Sequence, residues 1–193
     1  MSSDARVAKI ETRSEVRARR AAVEPQERTR RRGLLTAQLV ELVEQTGART
    51  LTAYASLGSE PDTSEFLAWA REANVRVLLP VALPGHRLAW AWDDGSRVEG
   101  LHGISEPGGA RLDASEIGDV DLMLVPACAV DERGTRLGWG LGYFDRALGE
   151  LRGHPPVFAV VDDEDVYSWL PRDPHDVPVT GAVTPTRLLR FNA

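Results

Sequence analysis

Apolar residues fall at helical spacing in the first quarter of the chain and in short unbroken runs after it. Asp4 to Ala22, rich in arginine and alanine, predicts a first helix. Pro25 suits the first turn of a second, whose stripe is Leu35, Leu39, Leu42 and Val43 and whose stop is Gly47. The pattern then tightens. Thr50 to Leu57 reads as a strand, broken by Gly58-Ser-Glu-Pro61. Asp62 or Thr63 can cap a helix carrying Phe66, Trp69, Ala70 and Ala73, and Val75 to Val81 is a second strand. A helix between two short apolar strands is a βαβ unit and predicts parallel pairing.

Beyond the Pro84-Gly85 turn, Arg87 to Trp92 predicts an antiparallel strand. Asp93 to Gly118 is polar, glycine-rich and without a period that assigns it. Asp121–Val125 and Val157–Val161 are further strands, Tyr143–Leu151 and Asp163–Leu170 short helices, and Pro171–Pro178 a loop. Gly181–Val183 and Leu188–Phe191 close the chain as strands. No segment repeats. The expected architecture is one α/β domain over residues 1–193, with a basic two-helix arm, residues 1–47, packed on it.

One stretch breaks the hydrophobic rhythm. Arg136 to Arg146 reads R-L-G-W-G-L-G-Y-F-D-R, with Gly138, Gly140 and Gly142 alternating with larger residues. Successive free N–H groups in such a loop can form an anion nest. It is no P-loop, because no G-K-S/T ends it. It is a poor dinucleotide fingerprint, because Tyr143 stands where the third glycine belongs and about a dozen residues separate the loop from its strand. Spacing alone fits a phosphate loop and a plain irregular connection equally.

Charge changes the picture at the N-terminus. Residues 1–32 carry ten basic and five acidic side chains, net +5, whereas the whole chain is −6. That balance argues against a general nucleic-acid binder. Of twenty-three basic residues, all but Lys9 are arginine. Lys9, Arg13 and Arg17 share one helical face, either solvated or facing an anion. Cys128 is the single cysteine, in an apolar setting that suits a small buried hydrophobe. No disulfide framework is available within one chain, no run reaches the length of a membrane span and no signal-peptide core precedes the domain. The expectation is a cytoplasmic protein.

Five ordered motifs then resemble the 5-formyltetrahydrofolate cyclo-ligase family, also called 5,10-methenyltetrahydrofolate synthetases. The most specific is V-P-A-C-A-V-D-E-R-G-T-R-L-G-W-G-L-G-Y-F-D-R, residues 125–146. The others are K-x-x-x-R at Lys9 and Arg13, S-E-P-D-T at Ser59–Thr63, G-I-S-E-P at Gly103–Pro107 and L-P-R-D-P-H-D-V-P at Leu170–Pro178. The resemblance implies a three-layer α/β fold with a central mixed, largely parallel sheet. It implies ATP-dependent cyclisation of 5-formyltetrahydrofolate: the formyl oxygen takes the γ-phosphoryl group, N10 attacks the formyl carbon, and phosphate leaves. The implied partners are those two substrates, with Mg²⁺, in a monomer that binds neither nucleic acid nor membrane.

Carried over position by position, Lys9 and Arg13 match ATP contacts, as do Arg136, Leu137, Gly138, Trp139, Gly140, Leu141, Gly142, Tyr143 and Phe144. Lys9, Arg136 and Asp145 would serve the chemistry. Asp145 and Asp176 match magnesium ligands, a donor type that Mg²⁺ favours. Ala55, Glu60, His102, Trp139, Gly140, Leu141, Gly142 and Tyr143 match the folate side. Four residues depart from the family pattern, all expected on that side: Leu141, Phe144, His102 and Asp165. They leave room for an ATP-binding paralogue with another substrate; a non-catalytic binding protein with a basic docking arm is the third reading.

Overall fold

The computed structural model describes residues 3–101, 105–112, 117, 120–150, 155–173 and 176–191. Helix α1 (Ser3–Ala21) and helix α2 (Pro25–Thr46) form where the apolar spacing predicts them, with Pro25 in the first turn of α2 and Gly47 closing it at φ 65°. Only glycine reaches that left-handed conformation without a steric penalty, so the chain turns sharply into the sheet there.

The main sheet has eight strands in the order β13-β12-β10-β7-β1-β2-β3-β6. Five central strands run parallel: β1 (Thr50–Thr52), β2 (Arg76–Leu83), β7 (Leu122–Pro126), β10 (Val157–Val160) and β12 (Gly181–Val183). Antiparallel strands edge them: β3 (Arg87–Trp92) and β6 (Arg111–Leu112) on one side, β13 (Leu188–Arg190) on the other. Every residue of β7 and β10 is buried, as expected of strands covered on both faces.

Helices α2 and α3 (Ser64–Glu72) cover one face, where Leu35, Leu39, Leu42, Phe66 and Ala70 pack on Leu51, Leu79, Leu124 and Phe158. On the other face Trp90, Met123, Val125 and Ala159 meet Leu148 of the short helix α4 (Tyr143–Gly149). This is the expected three-layer arrangement around a mixed, largely parallel sheet.

Several elements differ from their sequence-based expectation. The strand expected over Thr50–Leu57 ends at Thr52, because the chain must lift off the sheet to reach α3. The Ala53 N–H makes a last bond to Leu78 O at 3.0 Å. At the start of α3, Thr63 Oγ1 donates to Tyr54 O at 2.6 Å, and Asp62 Oδ1 accepts the Ser64 N–H at 2.9 Å. Thr63 thus stands at the N-cap position without a side-chain bond to the helix, and Asp62 accepts the first N–H instead.

The helix expected over Asp163–Leu170 is one 3₁₀ turn, Asp163–Asp165, followed by β11 (Val166–Tyr167). The unassigned stretch after Asp93 holds a small ribbon of β4 (Arg97–Glu99) and β5 (Ser105–Pro107), as well as β6. Between β7 and the glycine loop lies an unanticipated hairpin, β8 (Ala129–Asp131) and β9 (Arg136–Leu137), which joins β11 in a three-stranded sheet. The dozen residues that spoiled the strand–loop pattern are this hairpin.

Helix α1 rests on the small sheet. Val16, fully buried, packs with Cys128, Ala129, Leu137 and Leu170. Charge fixes the same contact. Arg20, 2% exposed, donates from Nε to Asp165 at 2.9 Å and from Nη2 to the carbonyls of Ala127 and Cys128, each at 3.2 Å. Arg19 also pairs with Asp165, which is fully buried.

Candidate active site

The strand order reverses at β1. The chain leaves β1 toward β2 on one side and leaves β7 toward β10 on the other, so a crevice opens between the carboxyl ends of β1 and β7. Open α/β sheets bind ligands at such a reversal. A cavity of ≈ 320 Å³ lies there. Its walls include Ala55 and Glu60 after β1, Pro126 at the end of β7, Leu79 and Ala82 of β2, and Glu106 of β5. Arg136, Gly138, Trp139, Leu141, Gly142, Tyr143, Phe144 and Asp145 form the remaining side. Most of the predicted folate-side residues, and much of the glycine loop, therefore share one space.

The loop's shape comes from its glycines and from α1. Gly140 and Gly142 have φ of 102° and 73°. A Cβ at Gly140 would lie 3.6 Å from Cζ of Arg13, so this position combines a positive φ with close approach by a guanidinium. Arg13 Nε donates to Gly138 O at 2.8 Å and ties the arm to the loop. Leu141 avoids the left-handed region and points into solvent, 61% exposed, so the family departure there is accommodated without backbone strain. Phe144 packs edge-on against Trp90, ring centroids 6.4 Å apart, and Tyr143 against His86 at 5.3 Å. Both rings wall the cavity.

Trp139 stands under two arginines, with Cζ of Arg17 and Arg20 5.3 and 5.4 Å from its ring centre. Arg17 is thus a stacking neighbour of the loop. Glu60 Oε2 accepts the Leu57 N–H at 2.9 Å. Burial pushes its carboxyl pKa up, against the opposing pull of that bond and of Arg20. Trp139 Nε1 makes no hydrogen bond, yet lies near enough to favour the ionised Glu60.

The cations expected at the phosphates are paired with acids. Arg136, buried at 5% exposure, donates from Nη2 to Asp145 Oδ1 and from Nη1 to Pro126 O at 3.2 Å. Lys9 donates to Oδ2 of Asp173 and of Asp176, each at 2.9 Å. Burial works against the ammonium, but the two carboxylates outweigh it and raise its pKa above the ordinary lysine value. Asp176 Oδ2 also accepts the Asp173 N–H at 2.8 Å. Arg13 lies within electrostatic reach of both Asp145 and Asp176.

Among the described residues no group of three or more His, Cys, Asp or Glu side chains forms a ready metal cage. Magnesium does not need one: it takes one or two carboxylates, waters and substrate phosphates. Asp145 and Asp176, each engaged through one oxygen and both close to Arg13, fit that donor set in kind.

One expectation needs amendment. Asp165 does not border the cavity. It is the buried anchor of α1, which explains why a carboxylate at this position suits a chain with Arg19 and Arg20 opposite. His102 lies outside the described residues. Cys128 is fully buried and its thiol pKa is pushed up to about 11 by burial, so it is packing rather than a nucleophile.

Sequence reasoning passed over Asp173, Glu106 and Asp131. Fully buried Asp131 accepts the N–H groups of Arg133, Thr135 and Leu170, at 3.0, 2.8 and 2.9 Å, and so shapes the hairpin beneath the loop. All three stand inside the quoted motifs; which of a motif's polar residues turns inward is a tertiary fact.

Sheet order and cleft place the chain in the open-sheet α/β class, with a candidate site at the strand-order reversal. Residues 5–185 match the profile of the 5-formyltetrahydrofolate cyclo-ligase family. The 5-formyltetrahydrofolate cyclo-ligase of Mycolicibacterium smegmatis is 41% identical over 145 residues, covering 72% of this chain and 75% of that protein. That of Escherichia coli K12 is 30% identical over 178 residues, covering 83% and 97%. The solution structure of Aquifex aeolicus 5,10-methenyltetrahydrofolate synthetase superposes with a TM-score of 0.80 at 29% identity, covering 96% of this chain and 93% of that one. The chain belongs to the 5-formyltetrahydrofolate cyclo-ligase family.

Proposed function

We propose that this protein converts 5-formyltetrahydrofolate and ATP to 5,10-methenyltetrahydrofolate, ADP and phosphate. The observation that carries the reading is that Arg13 and Arg136 meet at one glycine loop on the edge of an apolar cavity, while Lys9, one turn before Arg13 on α1, pairs with Asp173 and Asp176. The cavity suits a flat ring system, and the loop suits a polyphosphate.

Phosphoryl transfer asks a protein mainly for position and for neutralisation of charge. Lys9 supplies a compact ammonium and Arg136 a buried guanidinium, each able to exchange its carboxylate partner for a phosphate oxygen. Arg13 holds the loop through Gly138 and presents the rest of its guanidinium beside Gly140. The backbone from Leu137 to Gly142 offers amides to the same phosphates. Asp145 and Asp176 would hold magnesium, which when bound neutralises phosphate charge. Ala55, Glu60, Trp139 and Tyr143 orient the folate, and Tyr143 with Phe144 keeps water from the reacting centre.

The formyl oxygen displaces ADP at the γ-phosphorus. N10 then attacks the formyl carbon, the carbon–oxygen bond breaks as phosphate leaves, and N10 gives up its proton. The test is the rise in methenyl absorbance with 5-formyltetrahydrofolate and Mg-ATP. Product is expected from the wild type only with ATP, and Lys9→Ala should lower turnover roughly 100-fold or more. Binding of ATP with no methenyl product would overturn the reading in favour of a paralogue with another substrate.

A further inference from the structure

The cavity holds one charged group that the reaction above leaves idle. Glu106, 4% exposed, lines the same cavity as the glycine loop. Its Oε1 accepts the Ala82 N–H of β2 at 3.0 Å, which fixes the carboxylate to the sheet. Among the described residues its one cationic neighbour is Arg111, 3.9 Å from Oε2 and 58% exposed in its side chain. That contact is too long for a hydrogen bond, and a mobile exposed arginine compensates a buried carboxylate poorly. Room for the group is built into the backbone: a Cβ at Gly100 would fall 2.1 Å from Glu106 Cδ. Buried carboxylates are costly without partners. This one stands near Leu79, Pro80, Leu88, Pro107 and Phe144 in the lining of the cavity.

Its placement across the sheet is informative. Arg136 bonds Pro126 at the end of β7, and Glu106 bonds Ala82 on β2. Strands β7 and β2 flank β1, so the two charged groups stand on either side of the central strand, about two strand spacings or ~10 Å apart. A bicyclic ring bridges such a span. The pteridine head of the proposed substrate carries its formyl group on one side. On the far edge it presents two parallel donors, N3–H and the 2-amino group. A carboxylate is the acceptor that matches two parallel donors, and such charge-assisted bonds are the strong ones.

We propose that Glu106 is a specificity-determining residue that accepts hydrogen bonds from the N3–H and 2-amino edge of the pteridine. The ring then lies along the apolar wall with its formyl group toward Arg136. This rests on the folate reading of the cavity and extends it by fixing which way round the ring enters.

The test is calorimetric binding of 5-formyltetrahydrofolate and of its analogue with the 2-amino group replaced by methyl. Wild-type protein should prefer the natural compound about ten- to a hundredfold. In Glu106→Gln the amide oxygen can still accept from Ala82, while its NH₂ opposes the ring's donors. That variant should bind 5-formyltetrahydrofolate more weakly by the same factor and discriminate little between the two compounds, with ATP affinity unchanged. Should Glu106→Gln fail to fold, Glu106→Ala, which leaves space for water, is read the same way. A purely structural glutamate would leave the discrimination ratio of the folded variant at its wild-type value, and that result overturns the proposal. So does a wild-type ratio near one. Turnover is followed in parallel: absence of methenyl product from the wild type overturns the cyclo-ligase reading, and the binding ratio still decides Glu106.

Discussion

Glu60 shows how a single side chain can work against the fold that carries it. Burial raises its pKa, so ionising it costs the folded state free energy as pH rises through and beyond the ordinary glutamate range near 4.5. The sign gives a prediction. Glu60→Gln should melt at nearly the wild-type temperature at pH 4 and above it at pH 7, while its affinity for 5-formyltetrahydrofolate falls roughly tenfold. Calorimetric melts at the two pH values, with a folate titration at pH 7, check both halves. Lys9 has the opposite sign: its raised pKa means that its contribution is present at neutral pH and is lost only as pH climbs through the raised value, above about 10.5. The sequence marked both residues through their motifs. It could not mark the environment that sets their charge, because that comes from Trp139, Arg20, Asp173 and Asp176, each distant along the chain.

Helix α1 owes its place to a few contacts concentrated on Arg20. The helix is polar over most of its surface, and Val16 is its one fully buried hydrophobe. Removing the acid from a buried pair can cost about 3–5 kcal/mol; here Asp162, 3.3 Å from Arg20 Nε, still faces the cation and sets the loss at the lower end of that range. Asp165→Ala should therefore lower unfolding stability by an amount of that order in urea titrations. It should also raise the KM for ATP, because Lys9 and Arg13 ride on the same helix. Asp165→Asn, which keeps an acceptor, should lose less. The helix itself was legible in the sequence from its arginine and alanine content, α2 from its apolar period, and the βαβ unit and its parallel strands from the order of apolar runs. The β8–β9 hairpin was not: its short strands carry no period of their own and gain their pairing from β11, more than thirty residues further on.

At the scale of the whole molecule, the proposed binding of two substrates depends on a single device, the reversal of strand order at β1. Loops leaving the sheet in opposite directions cannot fill the space between them, so a cavity arises from topology before any side chain is chosen. Binding there is coupled to global stability. At a hundred times the dissociation constant a ligand adds about 2.7 kcal/mol, which for a chain of this size raises the melting temperature by roughly 5–10 °C. Mg-ATP and 5-formyltetrahydrofolate are each expected to give such a shift in thermal denaturation. With Lys9→Ala the ATP shift should shrink while the folate shift persists. The layers and the largely parallel sheet could be read from the order of apolar runs. The cavity's charged inventory could not, since Glu60, Glu106 and Arg136 come from three separate stretches.

The chain's single lysine has a further consequence, in chemical labelling. Lys9 carries the protein's one ε-ammonium, and its two carboxylate partners keep it protonated and 8% exposed. Acylating reagents attack only the free amine, so modification at this nitrogen should be slow at pH 8 and should accelerate whenever α1 lifts from the Asp173–Asp176 loop. A lysine-specific protease likewise has one bond to cut, after Lys9. The sequence therefore contains a single lysine side chain whose modification, followed at that residue apart from the more reactive α-amine, reports whether the arm is docked.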